Sequence, residues 1–397
     1  MDGTRAIRSI QLQNILSYGP DTPEFELGPL NIIIGPNSSG KSNLIEALSI
    51  IAAAPRDIQT PLREGGGIHE WTWKGVLKAP VATVQVSIEI PNRALLLRYE
   101  LSFHELSARF MLLEEIVDDA PSREPGEKPT SYYRYEVGKT EINVREQDLS
   151  GRRLTQVDDV RHDQSILSQR RDPRSYPELT SLATLFDHMR FYREFHLGCN
   201  SPLRRPQQAD LPQEYLLEDG SNLAVVLSDM LNEPGFKGLL IENLQDFYPS
   251  VRDIQVVVRG GSVQVSFHEE GLRHSILSSR LSDGTLRYLC LLVALLSPEP
   301  PPIICIEEPE TGLHPDVIPK LAKLLVEASK RSQIIVTTHS DILVDALTDT
   351  PEAVVICEKV DGATQLRRLD ADALETWLEE YRLGELWTRG DLGGNIW

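Results

Sequence analysis

The chain has 397 residues, of which 41% are hydrophobic and 25% are charged, as in ordinary water-soluble proteins. This length is sufficient for one elaborated domain or for two. The net charge of −19 excludes a surface that is basic throughout, so any contact with nucleic acid must come from a local basic patch.

The cysteines and the apolar runs predict a cytoplasmic protein with no membrane partner. There is no C-x-x-C pair, and the cysteines are expected to be small buried residues in a reducing compartment. They are Cys199, Cys290, Cys305 and Cys357. Residues 1–8 carry charges where a signal peptide needs an apolar stretch. The longest apolar run, residues 288–296, is too short to cross a bilayer.

The first motif lies between a predicted strand and a predicted helix. Residues 5–14 alternate in polarity as a half-buried strand does, short strands are expected at 25–27 and 30–34, and a helix is expected from 42 to 53. Residues 35–42 between them follow the pattern G-x-x-x-x-G-K-S, which is the P-loop. A glycine-bearing turn before an ordinary helix is the structural alternative.

The P-loop pattern predicts binding of a nucleotide phosphate chain together with Mg²⁺. The two glycines allow successive N–H groups to point inward, and the start of the helix adds its partial positive charge. Lys41 should reach the β- and γ-phosphates, and the Ser42 hydroxyl should be a ligand of Mg²⁺. The predicted nucleotide-binding residues are Gly35, Pro36, Asn37, Ser38, Ser39, Gly40, Lys41, Ser42 and Asn43.

The middle of the chain predicts an antiparallel meander followed by an insertion. Strands are expected at residues 82–90, 95–103, 109–117, 132–137 and 141–145. Residues 146–220 are rich in Arg, Pro, Ser and Gln, with a helix expected near 179–189. Residues 161–206 contain eight arginines and five acidic residues, which gives a local net charge of 8 − 5 = +3.

This arginine-rich segment predicts a DNA contact, in which arginines bind phosphates and interleaved aromatic rings stack on bases. The candidate phosphate contacts are Arg170, Arg171, Arg204 and Arg205, and the aromatic residues are Phe191, Tyr192 and Phe195. The alternative is an arginine-rich surface that binds acidic regions of the same chain.

The second half of the chain predicts a βαβ arrangement and therefore a buried parallel sheet. Helices are expected at 222–231 and 236–247, and a hairpin at 254–259 and 262–268 around Gly260 and Gly261. The βαβ elements are then a helix at 283–296, a strand at 303–306, a helix at 316–330, a strand at 333–337 and a helix at 340–347. A small β pair (353–357 and 365–369) and a helix (371–381) precede the tail, residues 383–397.

An apolar strand at 303–306 runs directly into two carboxylates. A carboxylate at the end of a strand beside a P-loop can hold the hydration shell of Mg²⁺, and the next one can polarise an attacking water. We assign Glu307 to the metal and Glu308 to the general base, a role that contributes about 10²–10⁴ in rate. A strand that ends in a solvated acidic turn is the alternative.

Two further segments have the composition of phosphate-binding sites. Residues 281–285 open an apolar helix, with Ser282 as its N-cap and Gly284 allowing another backbone to approach closely. His339 follows the apolar strand 333–337, where a histidine can contact a γ-phosphate. Taken singly, each segment also has a structural explanation: a capping turn for residues 281–285, and for His339 a structural histidine with satisfied hydrogen bonds.

The order and spacing of these motifs resemble those of ABC-type ATPase heads, in the branch that contains RecF, SMC proteins, OLD-like ATPases and stand-alone AAA_21-like ATPases. The likeness covers residues 1–55 and 275–345, and the string Glu-Glu-Pro-Glu-Thr-Gly-Leu-His-Pro at 307–315 is typical of this branch. It implies Walker A at 35–42, Walker B at 303–308, the D-loop at 310–315 and the switch histidine at His339. The implied signature is Leu281, Ser282, Asp283, Gly284 and Thr285.

The chain departs from the pattern of this family at several positions. Asp283 stands where many members have glycine, and Glu307 replaces the usual Walker B aspartate. Gln59 and Gln85 are both candidates for the Q-loop glutamine. The tail is too short for the nuclease domain that OLD proteins append.

The expected fold is α/β: a P-loop NTPase of the ABC-ATPase-head type with a mixed sheet, an N-terminal antiparallel β lobe and a part-helical insertion. The expected divisions are 1–145 and 251–370 for the two halves of the head, 146–250 for the insertion, and 371–397 for the C-terminal helix and tail. The resemblance implies an ATPase that uses ATP and Mg²⁺ and forms a head-to-tail homodimer, because the signature of one protomer completes the ATP site of another.

Two roles for this ATPase stay open. It could gate an action on DNA in repair, chromosome handling or antiviral defence. Alternatively, it could be a regulatory scaffold that controls an effector protein such as a nuclease or a toxin. The tail suggests the second role because Trp387 and Trp397 lie on a short glycine-bearing segment that suits docking into a groove. A tail that packs on its own domain is the alternative, and a transporter subunit is a distant third possibility.

Overall fold

A computed structural model describes residues 3–76, 78, 80–91, 93–120, 130–137, 139–145, 152–156, 160–161 and 163–393. The chain divides into two compact units. The first, here called the N-terminal unit, comprises Arg5–Met189 and Val355–Leu369, and the second, the C-terminal unit, comprises mainly Arg190–Val354 and Asp370–Gly393.

The N-terminal unit contains an antiparallel sheet in which the predicted meander is confirmed. Along the strand Leu97–Leu106, alternate side chains (Leu97, Tyr99, Leu101 and Phe103) are fully buried, as the pleat of a one-sided sheet requires. The last strand, Arg152–Gln156, was not predicted. In spatial order the strands are Phe25–Glu26, Ile7–Gln13, Ala82–Ile88, Leu97–Leu106, Arg109–Asp119, Ser131–Glu136, Lys139–Arg145 and Arg152–Gln156.

The same unit holds a second group of strands around the buried strand Leu30–Ile34. Its neighbour is Val354–Val360, which pairs antiparallel with Ala363–Arg368. The helices of this unit are Lys41–Ala53, Thr60–Glu64, Ile68–Trp71, Ile166–Gln169 and Pro177–Asp187. The two short helices Thr60–Glu64 and Ile68–Trp71, which were not predicted, bury Leu62, Ile68 and Trp71.

The C-terminal unit contains the expected parallel strands. Ile303–Glu307 pairs in parallel with Gln333–Thr337 on one side and with Arg190–Tyr192 on the other. The helices are Leu223–Met230, Phe236–Gln245, Asp283–Leu296, Ile318–Ala328, Asp341–Asp345, Ala371–Leu378 and Leu383–Arg389. The predicted hairpin is confirmed as Val251–Arg259 and Ser262–Glu269. It is joined by the short strands Gln207–Gln208 and Ile276–Leu277.

The segment expected as one insertion, 146–250, is divided between the two units after Met189. The reason is the strand Arg190–Tyr192, which continues the parallel sheet. Phe191, Tyr192 and Phe195 are consequently at most 5% exposed. The expectation that these rings are available to stack on bases was therefore wrong: Phe191 and Tyr192 are buried in the sheet, and the Phe195 ring stacks on that of Tyr192.

One expectation about burial was wrong, and for part of the tail the structure agrees with one of the two alternatives. Cys290, Cys305 and Cys357 are buried as expected, but Cys199 is exposed. Part of the tail forms the helix Leu383–Arg389, whose residue Trp387 is only 8% exposed, so this tryptophan packs on its own unit. Trp397 lies outside the described residues. Within the described part of the chain, none of the helices is long and apolar enough to cross a membrane.

Candidate functional site

The phosphate loop, residues 35–42, connects the buried strand Leu30–Ile34 with the helix Lys41–Ala53. Gly40 caps this helix with a φ of 107°, and Ser38 has a φ of 63°. Such angles turn the backbone sharply and allow N–H groups to face one concavity, as in anion-binding nests.

The loop has no room for side chains at its two motif glycines. A Cβ on Gly35 would overlap the carbonyl oxygen of Cys357, and a Cβ on Gly40 would overlap Thr364 Oγ1. Both neighbours belong to the β pair that lies behind the loop in the same unit. The glycines are therefore required by close packing as well as by backbone angle.

Lys41, Ser39 and Ser42 give the loop the groups that a phosphate chain needs. The Lys41 ammonium, on a side chain that is 6% exposed, donates to the carbonyl oxygens of Gly35 (2.8 Å) and Pro36 (2.9 Å). Ser39 Oγ is buried and has no hydrogen-bond partner among the described residues. Ser42 is exposed in the first turn of the helix. This donor set fits a phosphate group with Mg²⁺.

The loop is held from behind by residues that sequence reasoning missed. Thr364 Oγ1 lies 2.6 Å from Ser39 O and 2.6 Å from Ser17 Oγ. Asn43, a predicted nucleotide contact, donates instead to Ser17 Oγ at 2.7 Å. Ser17, Asn43 and Thr364 thus fix the loop, and no local pattern identifies Thr364, which is 325 residues from Ser39.

In the C-terminal unit, the strand Ile303–Glu307 leads into Glu308. The Glu307 carboxylate lies 3.3 Å from Arg193 Nε, a contact supplied by the arginine-rich segment. Glu308 has a φ of 43°, a strained value for a residue with a side chain, and its N–H donates to Thr337 O at 2.9 Å. Such strain is typical of functional sites, where the surrounding structure holds it in place.

His339 and Glu310 lie close to Glu308 in the same unit. His339 Nε2 is 3.8 Å from Glu308 Oε1, and both side chains are exposed. Glu310 Oε1 accepts hydrogen bonds from Thr338 Oγ1 (2.6 Å) and from the His339 N–H (3.0 Å). Glu310, which was predicted only as part of the D-loop, therefore sets the position of His339.

The signature segment, residues 281–285, begins the helix Asp283–Leu296. Ser282 is its N-cap as expected, and Ser282 Oγ accepts a hydrogen bond from the Thr285 N–H at 3.1 Å. A Cβ on Gly284 would lie 2.9 Å from the carbonyl oxygen of Gly312, so glycine permits this close approach of the D-loop backbone.

One turn further along this helix, Arg287 connects it to the acidic strand. Its Nη2 donates to the carbonyl oxygen of Glu308 at 2.8 Å. Burial lowers the pKa of Arg287. This contact ties the signature helix to the strained residue Glu308, and no sequence pattern indicated it.

The four arginines predicted to bind DNA make contacts within the chain. Arg171 donates to the carbonyl oxygens of Leu167 (3.2 Å) and Pro55, and Arg205 donates to Asn200 Oδ1 at 3.1 Å. Arg204 forms an ion pair with Asp283. Arg170 and Arg171 belong to the N-terminal unit, whereas Arg204 and Arg205 belong to the C-terminal unit.

The two candidates for the Q-loop glutamine both lie in the N-terminal unit. Gln59 donates to the Asp163 carbonyl oxygen at 3.0 Å, and Gln85 lies in the strand Ala82–Ile88. Among the described residues there is no cluster of three or more His, Cys, Asp or Glu that could hold a metal ion. Mg²⁺ does not require one, because it keeps several waters and binds one or two side chains plus substrate phosphates.

Comparison with known proteins identifies relatives of this arrangement. Residues 30–345 match the family model AAA_21, described as "AAA domain, putative AbiEii toxin, Type IV TA system". No curated protein matches the chain. Among solved structures, an SMC head bound to the C-terminal winged-helix domain of ScpA is similar, with a TM-score of 0.56 and 14% identity over 94% of this chain and 100% of that one.

A second structure, the SMC head with an extended coiled coil bound to the C-terminal domain of ScpA from Pyrococcus furiosus, gives a TM-score of 0.54 and 14% identity. The likeness covers 94% of this chain and 99% of that one. At this identity the comparison establishes the fold alone, a P-loop ATPase head of the SMC type, as the sequence motifs predict.

Proposed function

Because this chain belongs to the AAA_21 family of AAA-domain proteins, we propose that it binds ATP with Mg²⁺ and hydrolyses it. The observation that supports this proposal most directly is the phosphate loop. Its glycines leave no space for a Cβ, and the Ser39 hydroxyl is buried without a partner among the described residues. A phosphate oxygen would satisfy such a buried donor.

In the proposed reaction, the phosphate loop binds the substrate through its N–H groups. Lys41 moves its ammonium from the carbonyl oxygens of Gly35 and Pro36 to the β- and γ-phosphates. Ser42 and Glu307 would hold Mg²⁺, which supplies charge neutralisation on the phosphate oxygens. Arg193, which lies against Glu307, orients that carboxylate.

Glu308 is the proposed general base. Its carboxylate is 51% exposed, and a water that it polarises could attack a γ-phosphate. His339, 3.8 Å from Glu308, would contact the γ-phosphate and thus differ between the ATP and ADP states. The Glu310 carboxylate accepts hydrogen bonds from the His339 N–H and from Thr338 Oγ1, and these bonds hold the backbone at this histidine.

We further propose that ATP binding produces a head-to-tail homodimer. In this arrangement Ser282 and the N-terminus of its helix contact the nucleotide that is bound by the P-loop of the partner. A ligand favours the closed dimer only through contacts that it lacks in the open state, and the signature segment supplies them. Loss of the γ-phosphate on hydrolysis would release these contacts.

Mixing two inactive variants tests this arrangement. Lys41→Ala protein retains its signature segment, and Ser282→Arg protein retains its P-loop. We expect each alone to be inactive and an equimolar mixture to recover about a quarter of wild-type ATPase activity. The reason is that half of the dimers are mixed, and each mixed dimer has one complete site.

The control for this experiment is a mixture of Lys41→Ala protein with the double variant Lys41→Ala/Ser282→Arg. No dimer in that mixture contains an intact P-loop, so activity should stay at background. If the first mixture also stays at background while both variants remain folded, sites completed by a second protomer are excluded.

Two kinds of partner are compatible with this ATPase. An action on DNA was suggested by the arginine-rich segment, although the aromatic rings there are buried and Arg204 binds the signature segment. Control of an effector protein is favoured by the helix Ala371–Leu378, which has no buried residue and exposes 47% of Trp377. The family description, which names a toxin and a toxin–antitoxin system, agrees with the second role.

A DNA-binding experiment distinguishes these roles. The triple variant Arg170→Ala/Arg171→Ala/Arg205→Ala retains Arg204, which has a contact in the signature segment. If the arginines bind phosphates, DNA affinity should fall and the slope of log K against log salt should decrease by about 1 for each lost contact. Arg259→Ala, at an exposed position of the hairpin, is the control. Unchanged affinity and slope, with no stimulation of the ATPase by DNA, would favour the effector role.

A further inference from the structure

Arg204 directs the donors of its guanidinium to the signature segment and the residues beside it. Nη1 donates to the carbonyl oxygens of Leu281 (2.5 Å) and Ser279 (3.3 Å), and Nη2 donates to Asp283 Oδ1 at 2.5 Å. Nε donates to Gly198 O at 3.0 Å. The side chain is 14% exposed. Because the guanidinium donors form a rigid planar fork, these hydrogen bonds fix the backbone at Gly198, Ser279 and Leu281.

The partner of Arg204 in this contact is the carboxylate of Asp283. It is the first residue of the helix Asp283–Leu296 and directly follows the cap Ser282. Its carboxylate is half exposed and also accepts a hydrogen bond from the Gly198 N–H at 3.0 Å. The contacts with Arg204 and Gly198 hold the pKa of this carboxyl below its ordinary value, so the group stays charged at neutral pH.

A charged carboxylate at position 283 would disfavour the binding of a nucleotide at the signature segment. Ser282 and the helix N-terminus would receive an anionic nucleotide, and the negative charge of the next residue, Asp283, would repel it. Arg204 supplies the compensating positive charge through its contact with Asp283, and Ser282 itself remains exposed to solvent.

We infer that Arg204 is a positioning residue of the nucleotide site: by pairing with Asp283 it neutralises that carboxylate, so that the γ-phosphate bound by a second copy of this chain can approach Ser282. The inference rests on the proposed function. It explains how this chain tolerates an aspartate where many members of the resembled family have glycine, and it gives Arg204 a role other than DNA binding.

The test compares two substitutions of similar length in the hydrolysis-deficient Glu308→Gln background. Arg204→Lys keeps the positive charge, whereas Arg204→Gln removes it and retains hydrogen-bond donors. We expect ATP-dependent dimerisation to be weakened about tenfold or more by Arg204→Gln and much less by Arg204→Lys. Binding of ATP to the monomer should be unchanged in both variants.

A rescue experiment separates the charge effect from a merely structural one. Adding Asp283→Gly to Arg204→Gln removes the uncompensated carboxylate and should restore most of the dimerisation. Added salt should also reduce the defect of Arg204→Gln, because it screens repulsion between exposed charges. Arg252→Gln, which breaks the exposed ion pair with Glu270 in the same unit, is the matched control and should have no effect.

The outcomes distinguish this inference from the function on which it rests. If the Glu308→Gln parent does not dimerise with ATP, the proposed dimer fails and the inference fails with it. If the parent dimerises and Arg204→Gln dimerises equally well, the inference alone is overturned. It is also overturned if the defect of Arg204→Gln persists unchanged after Asp283→Gly, because a purely structural role would then account for it.

Discussion

Replacement of Lys41 by alanine is expected to abolish tight ATP binding. The Lys41 ammonium is buried at the phosphate loop and already donates two hydrogen bonds, to Gly35 O and Pro36 O. Transferred to phosphate oxygens, two such charged hydrogen bonds contribute about 1.5–3 kcal/mol each. Their loss should therefore weaken binding by about 10²–10⁴, as measured by calorimetric titration of ATP in the presence of Mg²⁺.

The control for this prediction is Lys330→Ala. Lys330 follows the helix Ile318–Ala328, and its exposed ammonium pairs with Glu327 at 2.7 Å. Its replacement should leave ATP affinity unchanged. Thermal unfolding of both variants checks that the fold persists. If the Lys41 variant retained wild-type affinity while folded, the phosphate loop would not be the nucleotide site.

The position of the phosphate loop could be predicted from the sequence for a physical reason. The P-loop depends on a short continuous segment, in which Gly35, Gly40 and Lys41 are placed by local backbone geometry. The same is true of the strand that ends at Glu307 and of Ser282, whose capping hydrogen bond spans three residues. Each of these features is encoded within about ten neighbouring residues, so their positions could be predicted.

The features that were missed depend on contacts between distant segments. Thr364 supports Ser39 across 325 residues, and Arg204 reaches Asp283 across 79 residues. The strand Arg190–Tyr192 is only three residues long, too short for a periodic pattern, and it is specified by the neighbouring strand with which it pairs. The sequence instead predicts an insertion here, because residues 146–220 are rich in Arg, Pro, Ser and Gln and have weak periodicity.

These distant contacts also change the meaning of the arginine-rich segment. Arg193 pairs with Glu307, and Arg204 pairs with Asp283. Two arginines of this segment therefore neutralise carboxylates of the proposed ATP site. An arginine that neutralises a carboxylate in the same chain contributes little to a basic surface. The local excess of positive charge in the sequence therefore overestimates the charge that is available to DNA.

Glu308→Gln is expected to bind ATP, to lose about 10²–10⁴ in the rate of hydrolysis, and to accumulate as an ATP-bound dimer. Glutamine keeps the size of the side chain but cannot accept a proton from water. The backbone contacts of Glu308, its N–H to Thr337 O and its carbonyl oxygen to Arg287, are unaffected by the substitution, so the strained backbone should be retained. Single-turnover hydrolysis and light scattering measure the two effects.

Two comparisons make the assignment of Glu308 specific. Glu327→Gln removes an exposed carboxylate that pairs only locally with Lys330, and it should hydrolyse ATP at the wild-type rate. Glu307→Gln should instead raise the Mg²⁺ concentration required for activity, because Glu307 is the proposed metal ligand. If Glu308→Gln hydrolysed ATP as fast as the wild type, Glu308 would not be the base. The adjacent carboxylate of Glu310 would not replace it, since Thr338 and the His339 N–H already occupy one of its oxygens and the other is buried.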